Sequence, residues 1–589
     1  MYRYSLFLFS ILVFSCQSDS STESRSTSSQ SGPPNIVLIL TDDQAWGDLG
    51  MHGNVFLQTP NIEQIATEGA QFDRFYVSPV CAPTRAAILT GRYALRTGTS
   101  WVTHRKEVMR SEEKTIAEYL RQANYKTGLF GKWHNGSQYP NNPKGQGFDE
   151  FLGFTAGHTN NYFDTRVQHN DKYEITKGYL PDVLTDKAID FIDQQKEQSF
   201  FCFLSFNTPH SPFQVPDPYF HKYKKFGLED KEAAIYGMIE NIDDNIGRLS
   251  NALDSLGLKE NTVIIFLSDN GPNGVRHNGG MKGIKAQVDE GSVRVPCLMS
   301  WPGKIPAGRL VKELGAHIDL LPTILDMTGI QAEKDILLDG KSLWPLLQGN
   351  EEEWNDRPIF TIQSNGLSQS YPSSIRTKQY RMVWDWANIP SLYDMMDDPK
   401  QEANIINQKP RVADSLAQIY QAWYQDVTQK GISIPPIPVG HNESPTTMCY
   451  APEAILRGNV AFKGQFGWAN DYIIDWSGKG GMVNWNIDVI EEGEYHFSMV
   501  HAATEGALDK DIFLLTAQGG VQAKLTKVAW SPNVKSPDRV KRGEVYERRW
   551  IDQTLGIIKL AKGPQQIRFQ TKMNAPNLFE LKAIKIVKL

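Results

Sequence analysis

Unbroken apolar runs and helical repeats alternate along the first part of the chain. Asn35-Ile36-Val37-Leu38-Ile39-Leu40 shows no polar alternation, the pattern of a strand covered on both faces in a parallel sheet. Thr262-Val263-Ile264-Ile265-Phe266-Leu267 repeats it, and Phe200 to Phe206 is a third such run. Between the runs at 200 and 262, Ile235, Met238, Ile239, Ile242, Ile246, Leu249 and Leu253 recur at helical spacing. Strands therefore alternate with amphipathic helices, and the predicted class is α/β, a large mixed or parallel sheet sandwiched by helices. The pattern changes past the proline-rich break from Gly431 to Pro438. Six short strand candidates follow: 483–489, 494–500, 511–515, 555–560, 565–570 and 582–587. Glycine turns part several of them and no long helix intervenes, which predicts an all-β sandwich over 440–589.

The N-terminus changes the picture by adding export. Tyr4 to Phe14 is apolar, follows Arg3, and is too short to span a bilayer; it reads as a secretory signal. The run ends in Val13-Phe14-Ser15-Cys16, similar to a bacterial lipoprotein cleavage box, so Cys16 is the expected lipid-bearing first residue. Cleavage at an ordinary site nearby is the alternative. Residues 17–34 are rich in Ser and Thr and form an expected flexible tether. Of five cysteines, Cys202 and Cys297 sit in apolar, strand-like surroundings and Cys449 in a loop-like stretch. No disulfide framework is expected. A chain of 589 residues has room for two or three domains. Its net charge of −6 gives no sign of a nucleic-acid partner, so any anion must be recognised by locally placed Lys, Arg and His.

Two of the buried runs end alike, in Asp42-Asp43 and in Asp269-Asn270. Each pair alone could cap a turn. Together they matter more, because ligand sites of open α/β sheets lie beyond the carboxyl ends of the strands. Asp42, Asp43, Asp269 and Asn270 supply only hard oxygen ligands, which select Ca²⁺ or Mg²⁺ over zinc. Cys81 lies between Pro79 and Pro83, ahead of an apolar helical run, and its expected place is a helix N-terminus that favours an anion. Arg85 follows one turn later. A thiolate nucleophile, a metal ligand, a residue consumed by modification and a small buried cap are the four readings open to that cysteine.

The string Cys81-Ala82-Pro83-Thr84-Arg85-Ala86-Ala87-Ile88-Leu89-Thr90-Gly91 resembles the C-x-P-x-R signature of the type I sulfatases of the alkaline phosphatase superfamily. Tyr125 to His134 is similar to their second signature, with Asn124 where glycine is usual; Asn tolerates the same left-handed backbone. His210, in Asn207-Thr208-Pro209-His210-Ser211-Pro212, resembles the family's leaving-group histidine. Gly280 to Pro296 resembles G-K-G-x-x-x-E-G-G-x-R-V-P; counting back from Arg294-Val295-Pro296 places the sulfate-binding lysine at Lys285 and leaves Lys282 as a substrate contact. Ala286 and Ser292 stand where glycines are expected. Leu392-Tyr393-Asp394 with Asp397-Asp398-Pro399 extends the likeness to about residue 430.

The resemblance implies a catalytic domain at 35–350 and a small C-terminal α+β subdomain at 351–430. It implies a Cys81 oxidised to formylglycine by a maturation enzyme, and a Ca²⁺ held by Asp42, Asp43, Asp269, Asn270 and the modified residue 81. Arg85 and the metal would favour a deprotonated hydroxyl on that residue, and Lys132 and Lys285 would hold the sulfate. His210 would protonate the departing alkoxide, and His134 would take a proton as sulfate leaves. In the tail, Trp485 and the Glu492-Gly493-Glu494-Tyr495-His496-Phe497 stretch look like jelly-roll carbohydrate-binding modules, with a cleft-shaping role of equal weight. The expected protein is an exported sulfatase of sulfated, marine algal polysaccharides in the periplasm or at the cell surface. A lipid anchor is its one expected tie to a membrane. The rivals are a phosphodiesterase or phosphonate hydrolase of the same superfamily and an inactive surface glycan-binding protein.

Overall fold

The structure, a computed structural model, describes Met1 and residues 32–364, 372–477 and 480–589. The export signal, Cys16 and most of the tether lie outside the described residues.

Asn35–Thr41 is a central strand of an 11-stranded mixed sheet. It runs parallel to Phe200–Ser205 on one side and to Thr262–Ser268 on the other, with Leu40 opposite Ser205 and Thr41 opposite Ser268. Lys126–Lys132 continues the parallel set beyond Phe200–Ser205, with Gly131 opposite Ser205. Shared direction and register bring four carboxyl ends to one edge of the sheet. Residues after 41, 132, 205 and 268 therefore meet there although the sequence spreads them widely. All seven side chains of Asn35–Thr41 and of Thr262–Ser268 are buried, as a strand with helices on both faces requires. The 26-residue helix Asp230–Ser255 covers one face with Ile235, Met238, Ile239, Ile242, Ile246, Leu249 and Leu253, all buried. The sheet is mixed because Cys297–Ser300 joins Thr262–Ser268 antiparallel.

A four-stranded antiparallel sheet, Ile359–Ile362, Ser373–Arg376, Tyr380–Trp384 and Pro390–Asp394, packs with the helix Pro410–Val427 as a small α+β unit. Glu290 ties it to the large sheet. Tyr76 Oη donates to Glu290 Oε1 at 2.8 Å, and the Nε atoms of Arg376 and Arg381 each lie 3.4 Å from Oε2. All four side chains are buried, where a carboxylate is tolerated only when paired in this way.

The tail is two six-stranded sheets face to face. Its strands include Met482–Val489, Gly493–Ala503, Asp511–Thr516, Ile551–Leu560, Gly563–Thr571 and Phe579–Lys588, each containing one of the six expected runs. Two expectations are corrected. The proline-rich break already holds a strand, Ile437–Val439, whose Ile and Val are buried against Ile487 and Val489. Cys449 is no loop residue but the fully buried fourth residue of the strand Thr446–Tyr450, opposite Ile584. Trp485 lies in the sandwich core, 0% exposed, with its indole N–H donating to Tyr450 O at 2.8 Å. It offers no face to a sugar. The four described cysteines, Cys81, Cys202, Cys297 and Cys449, are free and buried, and no described helix is long and apolar enough to cross a membrane.

Candidate active site

The sheet edge delivers charge into a closed space. Asp42 and Asp43 follow the central strand; Asp42 N donates to Thr208 O at 3.0 Å, and Asp43 turns the chain through a left-handed φ of 68°. Asp269 and Asn270 follow the neighbouring strand, and Asp269 N donates to Thr41 O at 3.0 Å. Lys132 Nζ donates to Asp42 Oδ2 at 2.7 Å, and Lys285 Nζ donates to Asp43 Oδ1. Asn270 Nδ2 also reaches Asp43 Oδ1, at 2.7 Å. Burial raises the cost of both carboxylates, yet Lys132 beside Asp42, and Lys285 and His210 beside Asp43, hold them below their ordinary range. Asp269 goes the other way: burial, with Asp42 nearby, pushes it up to about 6 in spite of Arg85.

Three oxygens in this cluster, Asp42 Oδ1, Asp43 Oδ2 and Asn270 Oδ1, are buried without a hydrogen-bond partner. Such orphans are rare unless something else satisfies them. Ligand atoms of Asp42, Asp43 and His210 lie within 4.8 Å of one another, as do those of Asp42, Cys81 and Asp269. A hard divalent cation fits this donor set, because it takes oxygen ligands and needs no thiolate. The residues present therefore suit Ca²⁺.

Cys81 opens the helix Cys81–Thr90, all ten of whose residues are buried. The expected helix start is where the sequence places it. Its thiol is not made acidic there: burial pushes it up, against the pull of Lys132 and Lys285. Arg85 is committed elsewhere. Its Nε and Nη2 grip Asp269 Oδ2 at 3.0 and 2.7 Å, and Nη1 donates to Lys132 O and Ser205 Oγ at 3.0 and 2.6 Å. It braces three of the four strand ends at once.

The two histidines are held in opposite ways. His134, at φ 69°, places Nε2 2.9 Å from Val102 O. A carbonyl only accepts, so Nε2 carries the hydrogen and Nδ1, buried without a partner, keeps a lone pair. Burial, with Lys132 beside it, drives this imidazole well below its usual pKa and keeps it neutral. His210 donates through Nδ1 to Ser211 O at 2.6 Å and points Nε2 toward Asp43 Oδ2, 3.8 Å away. Its ring lies over His158, with centroids 5.9 Å apart and planes 15° from parallel.

Lys285, counted back from Arg294-Val295-Pro296, is the lysine at the acid cluster. Lys282 instead lies 3.4 Å from Tyr393 Oη and 3.5 Å from Asp289 Oδ1, with about half its side chain exposed. Asn124 adopts φ 65°, the left-handed backbone expected of it; Ala286 does so at φ 67° without glycine's freedom. Sequence reasoning missed His158 and Glu544, which flank His210. Neither sits in a patterned stretch, and Glu544 reaches the site from the tail.

Fold and site together define a hydrolase of the alkaline phosphatase superfamily, with strand-end carboxylates and basic groups around one buried residue. The Sulfatase family model matches residues 34–330, and the N-sulphoglucosamine sulphohydrolase C-terminal model matches 284–427. N-acetylgalactosamine-6-sulfatase of Canis lupus familiaris is 33% identical over 396 residues, 60% of this chain and 73% of that protein. Arylsulfatase A of Homo sapiens is 32% identical over 387 residues, 58% and 72% of the two chains. The crystal structure of Ps i-CgsB in complex with k-i-k-neocarrahexaose superposes with a TM-score of 0.64 at 30% identity, covering 67% of this chain and 94% of that one. The chain belongs to the type I sulfatases, which are sulfuric ester hydrolases.

Proposed function

We propose that the protein is an exported, Ca²⁺-dependent sulfatase that desulfates an algal polysaccharide through a formylglycine formed from Cys81. The observation that carries this reading is the set of three orphaned, buried oxygens on Asp42, Asp43 and Asn270 in one cluster with Cys81. Asp42, Asp43, Asp269, Asn270 and residue 81 would hold the ion. When present, Ca²⁺ would draw charge from sulfate oxygens while residue 81, as the hydrated aldehyde, supplies the attacking hydroxyl. Lys132 and Lys285 would bind the sulfate and balance its negative charge as the S–O bond breaks. His210, fixed at Nδ1, would give the Nε2 proton to the leaving alkoxide. His134, neutral with a free Nδ1 lone pair, would receive a proton when sulfate departs.

The algal assignment rests on the neocarrahexaose bound to Ps i-CgsB, a structure of the same fold, and on the appended sandwich. A cavity of about 390 Å³ between tail and catalytic domain also supports it, with His134, Tyr173, Tyr450, Trp550 and Lys582 on its walls. We assign 35–350 to the catalytic domain, 351–430 to its subdomain and 437–589 to the accessory domain, whose first strand is Ile437–Val439. Export and lipid attachment at Cys16 complete the proposal, placing the enzyme in the periplasm or on the outer membrane.

Chelation should abolish hydrolysis of 4-nitrophenyl sulfate and of a carrageenan oligosaccharide, and added Ca²⁺ should restore both. Peptide mass spectrometry of active enzyme should show an aldehyde at residue 81. Full turnover by metal-free enzyme, or an alkylatable thiol at Cys81 in fully active enzyme, would refute the proposal. Faster hydrolysis of phosphate or phosphonate monoesters would move the substrate class to the phosphonate hydrolases.

A further inference from the structure

The wall beside His210 is shared between two domains. Between its strands Gly519–Lys524 and Ile551–Leu560 the tail sends a strap, residues 525–550, over the edge of the large sheet. Arg539 N donates to Phe213 O at 3.0 Å and Arg539 Nη2 to Val215 O at 2.7 Å. Arg542 Nη1 donates to Asn160 O at 2.6 Å, and Gln214 Nε2 donates to Asp538 Oδ1 at 2.8 Å. These bonds grip both segments that frame His210, the one before Val215 and the one around His158. In the middle of them, Glu544 accepts a hydrogen bond from Ser211 Oγ. Ser211 is also the residue whose carbonyl receives His210 Nδ1–H at 2.6 Å. One tail carboxylate is thus a single residue removed from the bond that orients the histidine.

We infer that Glu544 is a positioning residue for sulfate ester cleavage, holding the Ser211 turn so that His210 Nε2 faces the leaving oxygen. The inference rests on the reading of His210 as the leaving-group acid. A hydrogen bond to a carboxylate is short and directional, and here it acts on Ser211, a buried residue of the turn. Small displacements are costly for a proton donor, since an error of about 1 Å in a reacting group lowers rates by about 10²-fold. Glu544→Gln keeps the acceptor oxygen and should keep the geometry.

The test measures full-length enzyme on two substrates that differ in need for an acid, a sulfated carrageenan oligosaccharide and 4-nitrophenyl sulfate, with His210→Ala alongside. Glu544→Ala should lower kcat on the oligosaccharide by about 10- to 100-fold with KM little changed, and leave 4-nitrophenyl sulfate within a few-fold of the parent. Glu544→Gln should restore most of the loss. Ser211→Ala should show the same split, and the double variant no more than either single one. Should Glu544→Ala not fold, Ser211→Ala and Glu544→Gln read the same bond. Equal losses on both substrates for the Glu544 and Ser211 variants, while His210→Ala still separates them, would overturn the positioning role and leave the acid assignment standing. A loss in Glu544→Gln as deep as in Glu544→Ala would overturn it too, since charge and not placement would then be at work. Equal losses for His210→Ala itself would remove the acid reading and this inference with it.

Discussion

Asp42, Asp43, Asp269 and Asn270 leave two strands paired residue for residue from Asn35 and Thr262 to Thr41 and Ser268. The groups around His210 come from loops, and Ser211 and Glu544, which meet there, are 333 residues apart in the sequence. The floor of the site is therefore fixed by the sheet, and the wall by the contact of two domains. Arg85 shows how rigid the floor is, with donors spent on Asp269, Lys132 and Ser205. On the wall, Glu544 keeps partial exposure, and the His158 and His210 rings lie near parallel with centroids 5.9 Å apart. On the proposed function, chemistry common to any sulfate ester belongs to the floor, and adjustment to one alcohol to the wall.

Substitutions on the two sides should separate accordingly. The largest effect is expected from Cys81→Ala, which should reduce turnover of carbohydrate and aryl sulfates alike to background, because every ester needs the nucleophile; a variant still active on either would break the division. Next comes His210→Ala, with a loss of about 10²–10⁴-fold on the carbohydrate sulfate and far less on the activated aryl ester, measured as kcat/KM. His134→Ala should instead impair release of sulfate, a step after the alcohol has left, so single-turnover alcohol release survives better than steady-state turnover on both substrates. In stability, Arg85→Ala strands Asp269 as a buried charge and should cost about 3–5 kcal/mol in denaturant unfolding. Smallest is Ser211→Ala, at about 1–3 kcal/mol for a single bond to a carboxylate; a cost equal to that of Arg85→Ala would place the wall on the same footing as the floor.

The same division decides what could be read in the sequence. Floor residues lie at the ends of unbroken apolar runs or within contiguous signatures, so Asp42, Asp269, Lys132 and Cys81 announce their positions locally. Lys285 required only a count from Arg294, and Asn124 met its expected left-handed backbone. Glu544 has no local signature, since its significance lies in a domain contact that no periodicity encodes. The strands holding Cys449 and Ile437–Val439 are not legible in the sequence, because three to five residues are too few for alternation to outweigh nearby Pro and Asn. Trp485 carried a carbohydrate-binding likeness, yet a large aromatic in an alternating strand is served as well by a sandwich core, and the core holds it.

The complete enclosure of the helix Cys81–Thr90 has a consequence for how the enzyme is made. If residue 81 is oxidised by a maturation enzyme, as proposed, that enzyme has to reach a side chain that the folded protein leaves only 3% exposed beneath a sheet edge. On that proposal oxidation would have to precede collapse of the chain, while the polypeptide is still open. A molecule that folded first would then keep its thiol out of reach and stay inactive. Specific activity in a preparation would then record the timing of biogenesis as much as the quality of the catalyst, and slowing the folding of this one helix should raise the active fraction without touching a single catalytic group.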